Sequence, residues 1–102
     1  MDKKGKEVNI PCICLDDKMR PNEIPTSKWV KKNAAYTIIE FAILNMQNRK
    51  IGVRLAEIDL SDCFPYTFFA VERFGIVDER LVKEANEAVQ DLLEEVLTFK
   101  EN

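Results

Sequence analysis

The sequence predicts an α+β chain, a small antiparallel β-barrel followed by one long C-terminal amphipathic α-helix. Three observations carry this. Lys31 to Ile58 reads as two strands joined by a tight turn, Glu7 to Leu15 alternates like a first strand, and Asp78 to about Phe99 has unbroken helical periodicity. The predicted division is a barrel over residues 1–77 and a helix over residues 78–102, within one domain. At 102 residues, 46% of them hydrophobic, the chain is long enough to build one core without staples.

Met1 to Lys6 is a polar, Lys-rich lead expected to fray. The first strand places Val8, Ile10, Cys12 and Cys14 on one face, and Pro11 marks it as an edge strand or a bulged one, because proline donates nothing to a ladder. Asp16 to Ser27 holds two prolines, an Asn and an Asp pair, so it reads as a loop long enough to be a binding surface. Trp29, the single tryptophan, is expected to plug the core rather than serve as a ligand platform.

The central hairpin follows. Tyr36 to Leu44 carries β-branched and aromatic residues on both alternating faces, Asn45 to Lys50 turns, and Ile51, Val53 and Leu55 share one face of the return strand while Arg54 takes the other. Asp59 to Tyr66 is a connection, Thr67 to Val71 is expected to make one helical turn, and Glu72 to Val77 a last short strand. Phe64, Tyr66, Phe68, Phe69 and Phe74 gather five of the nine aromatics within eleven residues, a core cap or a pocket lining.

The helix opens on the acidic pair Asp78-Glu79, where the helix dipole favours negative charge. Val82, Ala85, Val89, Leu92, Val96 and Phe99 follow spacings of 3, 4, 3, 4, 3 and form a candidate oligomer seam, widened by Leu81, Ala88, Leu93 and Leu97, which faces the barrel or a second copy. Glu84, Glu87, Asp91 and Glu94 make the opposite face acidic and solvated. At about 33 Å the helix exceeds the roughly 25 Å expected across so small a barrel, so it overhangs or pairs.

Composition narrows the chemistry. Histidine is absent, which removes the commonest general base and metal ligand. Cys12, Cys14 and Cys63 do not have a recurring zinc spacing and read as buried hydrophobes with reduced thiols. The acid pairs Asp16/Asp17 and Glu57/Asp59 imply no convergence, and Gly5, Gly52 and Gly75 form no phosphate loop. No catalytic residue, cofactor or metal is expected. With no run long and apolar enough to span a bilayer and no signal-peptide core, the expectation is a cytoplasmic protein without a membrane partner.

The order Cys12-Ile13-Cys14-Leu15-Asp16-Asp17, Arg20-Pro21-Asn22-Glu23-Ile24-Pro25, Trp29-Val30-Lys31-Lys32, Tyr36-Thr37, Gly52 to Ile58 and Arg73-Phe74 resembles small uncharacterised phage and mobile-element proteins of gut bacteria. Those look like SH3-type β-barrels, so the resemblance implies an SH3-like barrel over residues 8–77. It brings no known site residues. Where those proteins tend to have Lys-Lys-Gly before the Tyr, this chain has Lys31-Lys32-Asn33, and Asn also tolerates the positive φ of a turn.

Binding remains as the expected role. The first reading is a non-enzymatic module acting by protein–protein interaction, or by sequestering a host molecule as a homo-oligomer, with a dimer favoured. Its candidate binding surface is Asp16, Asp17, Arg20, Asn22, Trp29, Lys31, Lys32, Tyr66 and Arg73. Its partner would be a host protein or small molecule. The alternative is nucleic-acid binding through Lys28, Lys31, Lys32, Arg49, Lys50 and Arg54, with Trp29 and Tyr36 as stacking rings. Charge distribution weighs against it: residues through Val77 hold 12 Lys/Arg against 10 Asp/Glu, and those from Asp78 hold 3 against 8.

Overall fold

A computed structural model of the chain describes residues 5–45 and 50–101, with side chains described for all of these except residues 45 and 95–101. The chain is a curled five-stranded antiparallel sheet with one C-terminal helix. The strands are β1 (Gly5–Cys14), β2 (Ala35–Asn45), β3 (Lys50–Leu55), β4 (Phe69–Ala70) and β5 (Phe74–Gly75), and the helix is α1 (Glu79–Glu101). Strand order is β4-β3-β2-β1-β5. The curl follows from the connectivity. β4 and β5 lie at opposite edges yet are joined only by the 3-10 turn Val71–Arg73. Four residue steps from Ala70 to Phe74 reach at most about 14 Å, whereas a flat five-stranded sheet sets its edges about 19 Å apart. The edges therefore draw toward each other and enclose a core.

Register fixes which residues enter that core. Ile10 faces Ile38, Cys12 faces Tyr36, and Phe41 faces Val53, so Ile10, Cys12, Ile38, Phe41, Val53 and Leu55 are buried together. β1 is bulged between Glu7 and Ile10, and β5 pairs with it only at Ile13 and Cys14. Pro11 thus sits, opposite Thr37, in a stretch of β1 that is an edge on its far side, where its missing N–H costs no ladder bond. The expected turn after Leu44 falls largely on residues 46–49, and most of the N-terminal lead on residues 1–4, both outside the described residues.

Two expected elements change identity. Thr67 to Val71 is not a helical turn: Phe69 pairs with Val53 and Ala70 with Gly52, so the segment extends as β4 and the tight turn moves to Val71–Arg73. The last strand is correspondingly short, two residues rather than six. Ladder bonds to β3 outweigh whatever local preference the aromatic-rich segment has.

Asp78 caps α1. Its Oδ1 accepts the Arg80 N–H at 3.0 Å, satisfying one of the orphan donors of the first turn. The helix packs on β1 and β2 of its own chain. Ala85, Ala88 and Leu92 are buried in the common core, Leu81 and Val89 half-buried against it, and Lys6 reaches Asp91 at 3.4 Å. Of the expected seam, Ala85 and Leu92 are buried and Val89 half-buried, with Ala88 and Leu81 widening the stripe as expected; Val82 is 37% exposed, and Val96 and Phe99 lie outside the described side chains. Among the described residues, no helix is long and apolar enough to cross a membrane.

Candidate binding surface

Seven of the nine candidate residues lie in the loop between β1 and β2. Two apolar side chains, Ile24 and Val30, anchor it in the core, and several hydrogen bonds to backbone groups hold the chain between them and β1. Trp29 Nε1 donates to the Asp17 carbonyl at 2.6 Å. Arg73 Nη1 donates to the carbonyls of Asp16, at 3.1 Å, and Lys18, at 2.7 Å, with the Asp16 carboxylate 3.7 Å away. Asp17 Oδ2 accepts the Lys32 N–H at 3.0 Å, and Arg20 Nη1 donates to the Ile24 carbonyl at 2.5 Å. The loop is a built structure, not slack chain.

Trp29 is half-buried, its ring packed 5.7 Å from Phe69, with the Arg73 guanidinium 4.8 Å from the ring centre. It serves as a plug whose one polar atom is satisfied, and its ring is already engaged by Arg73. Tyr36 is likewise occupied. Its ring meets Phe74 edge-on at 6.4 Å and its hydroxyl accepts the Lys31 N–H at 2.9 Å.

Asp16, Asp17, Trp29 and Arg73 therefore converge, joined by the Lys32 backbone and flanked by Arg20. Asn22 and the side chains of Lys31 and Lys32 are exposed without joining that cluster. Tyr66 belongs to the connection between β3 and β4, which is tied to the loop by Lys28 Nζ on Asp62 Oδ1 at 2.9 Å. Behind Tyr36, Asn33 adopts φ 74°, the left-handed turn that Asn was expected to sustain, and donates to the Cys14 carbonyl at 2.7 Å.

Three features escaped the sequence reading. Met19 is left-handed at φ 65° and 86% exposed, with nothing in its residue type to signal it. Ile24 is a lone apolar residue in a polar loop, yet buried. On the outer face of β2 and β3, Arg54 Nε reaches Glu40 Oε1 at 2.8 Å and its guanidinium lies 4.6 Å from the Phe68 ring centre. The signal for the first pair was present, since the register sets Glu40 opposite Arg54.

The thiols are in non-nucleophilic settings. Burial, then the Glu57 carboxylate, pushes Cys12 up to about 11, and burial raises Cys14 and Cys63 as well. Among the described residues no group of three or more Cys, Asp or Glu side chains converges as a metal site. Comparison with protein-family models, with curated proteins and with solved structures finds no match to this chain.

Proposed function

We propose that the chain is a non-enzymatic binding module built on an SH3-like barrel, of the phage or mobile-element type its residues resemble. It acts in the cytoplasm by protein–protein interaction or by sequestering a host molecule as a homo-oligomer. The observation that carries this reading is the pre-ordered loop between β1 and β2. Its backbone is fixed by Trp29, Arg73 and Asp17, while Met19, Arg20, Asn22, Lys31 and Lys32 stand exposed around it. A surface ordered before binding spends less of its interaction energy on conformational entropy. The barrel reading rests on the strand order and on the three-residue turn linking the two edge strands. The cytoplasmic placement rests on three unpaired thiols.

The same geometry favours a protein or small-molecule partner over nucleic acid. Lys28 is paired with Asp62, Lys50 with Glu72 and Arg54 with Glu40, so three cations of that alternative are already neutralised, and both stacking rings are engaged within the chain. Native mass spectrometry on gently purified protein tests the reading. A retained small molecule or co-purifying protein, lost in an Arg20→Ala, Asn22→Ala double variant, is the expected result. Retention of DNA or RNA with steep salt dependence would overturn it.

A further inference from the structure

Arg73 sits in its own chain as a ligand sits in a receptor. Its guanidinium lies 4.8 Å from the centre of the Trp29 ring, and its Nη1 donates to the Asp16 carbonyl at 3.1 Å and the Lys18 carbonyl at 2.7 Å, with the Asp16 carboxylate 3.7 Å away. An aromatic face, two carbonyl oxygens and a carboxylate suit a planar cation. Groups other than Arg73 hold these parts in place. Phe69 packs 5.7 Å from the Trp29 ring, Trp29 Nε1 fixes the Asp17 carbonyl at 2.6 Å, and Asp17 Oδ2 accepts the Lys32 N–H at 3.0 Å. The backbone is also set for the task. The φ of Met19 sets the tilt of the peptide that carries the Lys18 carbonyl, and it is held at 65° although the Met19 side chain is 86% exposed. Strain of this kind persists at ligand clamps.

The occupant can leave while the fold stays. The Arg73 carbonyl accepts the Leu15 N–H at 2.6 Å, which keeps its backbone in the sheet, and its side chain is 17% exposed, so release asks only for a change of rotamer. Charge around the site selects what replaces it. Lys18, Arg20, Lys31 and Lys32 are exposed on the same loop, whereas Asp16 and Asp17 are engaged, Lys28 is paired with Asp62, and Glu23 is the remaining acid. An incoming arginine is therefore best presented among carboxylates. A nucleic-acid base could stack on Trp29 but would give the two carbonyls no cation.

We propose that Arg73 is the built-in stopper of a guanidinium site, and that an arginine of a partner protein, flanked by acidic residues, exchanges with it. This rests on the binding-module reading above and names the chemistry of the partner. A tethered side chain competes at an effective concentration of roughly millimolar, so a lone arginine is kept out and the flanking carboxylates, on Arg20, Lys31 and Lys32, make exchange worthwhile.

Trp29, the single tryptophan, reports on the site by its emission. In Arg73→Ala, N-ethylguanidinium is expected to restore the wild-type emission along a saturable curve, and ethylammonium to require about tenfold more. The acetylated peptide Glu-Glu-Arg-Glu-Glu is expected to bind the wild-type chain with a Kd of about 1 mM, and Arg73→Ala about tenfold or more tightly. Arg73→Gln, which keeps the stem over the ring without a cation, gives the same readings if the alanine variant does not fold. Recovery that is absent, or equal for the two small cations, would overturn the guanidinium site. A peptide bound no more tightly once Arg73 is replaced would overturn the exchange. Either failure leaves the binding-module reading to the Arg20→Ala, Asn22→Ala variant, whose retained partner is a separate observation.

Discussion

The two sides of the sheet are held by different physics. At the α1 side, Ala85, Ala88 and Leu92 share one buried cluster with Ile10 and Phe41, and Lys6–Asp91 is an ion pair at its periphery. At the loop side, carbonyls of Asp16, Asp17 and Lys18 are captured by the polar atoms of Trp29 and Arg73. The first arrangement is non-directional and scales with apolar area. The second depends on a few atoms being within a few tenths of an ångström of where they are. The helix side should therefore respond to lost volume, and the loop side to changes in shape and donor geometry at constant charge.

The largest expected effect is on the helix side. Leu92 is 3% exposed, and Leu92→Ala removes its burial and leaves a cavity, at a cost of about 3 kcal/mol. In a domain of this size that lowers the midpoint of thermal unfolding by roughly 12 to 20 °C, read by circular dichroism. Leu92→Met, which conserves volume, should cost less than about 1.5 kcal/mol. Equal losses from the two variants would show that this side is not governed by packing.

On the loop side the informative residue is Arg73, 17% exposed and bonded to carbonyls 57 and 55 residues earlier in the chain. Arg73→Ala leaves the Asp16 and Lys18 carbonyls without their donor and uncovers Trp29, at a cost of about 1 to 3 kcal/mol. Arg73→Lys keeps the charge but loses the fork and most of the stacking on Trp29, so it should recover less than half of that. Hydrogen exchange should quicken at residues 16–18 in both variants, and Trp29 emission should shift to longer wavelength. A lysine variant indistinguishable from wild type would mean that charge alone holds the loop.

The same contrast explains what could be read from the sequence. β1, β2, β3 and α1 were legible because burial imprints a period, as with Ile51, Val53 and Leu55 or Ala85, Val89 and Leu92. The loop was legible only as a loop. That Arg73 stacks on Trp29, or that Asp17 accepts the Lys32 N–H, follows from which ends of the sheet are brought together, and no local pattern encodes it. β4 fails for a related reason, since two residues are too few to show a period and only pairing with Gly52 and Val53 makes them a strand. The breadth of the helix stripe was legible too, since Leu81 and Ala88 extend the same periodic pattern and both pack against the core.

The pH dependence should separate the two sides as well. Cys12, in the core, has its thiol raised from 9.0 to about 11, mainly by burial. A raised value means the folded state holds the proton more tightly, so this stabilisation is complete below about pH 9 and is lost as pH rises through 11, about 3 kcal/mol in all. Denaturant unfolding at about pH 8 and about pH 10.5 should therefore show wild type losing stability relative to Cys12→Val, which has no proton to release. Asp62 beside the loop behaves oppositely. Its hydrogen bond with Lys28 lowers its carboxyl, so that contribution is present above about pH 4 and is lost as the solution is acidified through the lowered value. Alkaline and acid limbs that both vanish in Cys12→Val would collapse the distinction.

The smallest effect has the opposite sign and tests whether the loop is ordered at the expense of its backbone. Met19 holds φ 65° with its side chain in solvent, next to Lys18, whose carbonyl Arg73 captures. A left-handed backbone costs an ordinary L-residue roughly 1 to 2 kcal/mol, and an exposed methionine returns little of that through burial. Met19→Gly removes the steric cost but widens the unfolded ensemble by roughly 0.5 to 1 kcal/mol, for a net gain of about 0.5 kcal/mol. Met19→Asn relieves part of the same cost without loosening the unfolded chain, so it should stabilise by a similar amount. Both variants should leave the exchange rates of residues 16–18 unchanged. A destabilised Met19→Gly would instead mean that the methionine side chain itself helps to order the loop, and that the loop side depends on apolar contact as the helix side does.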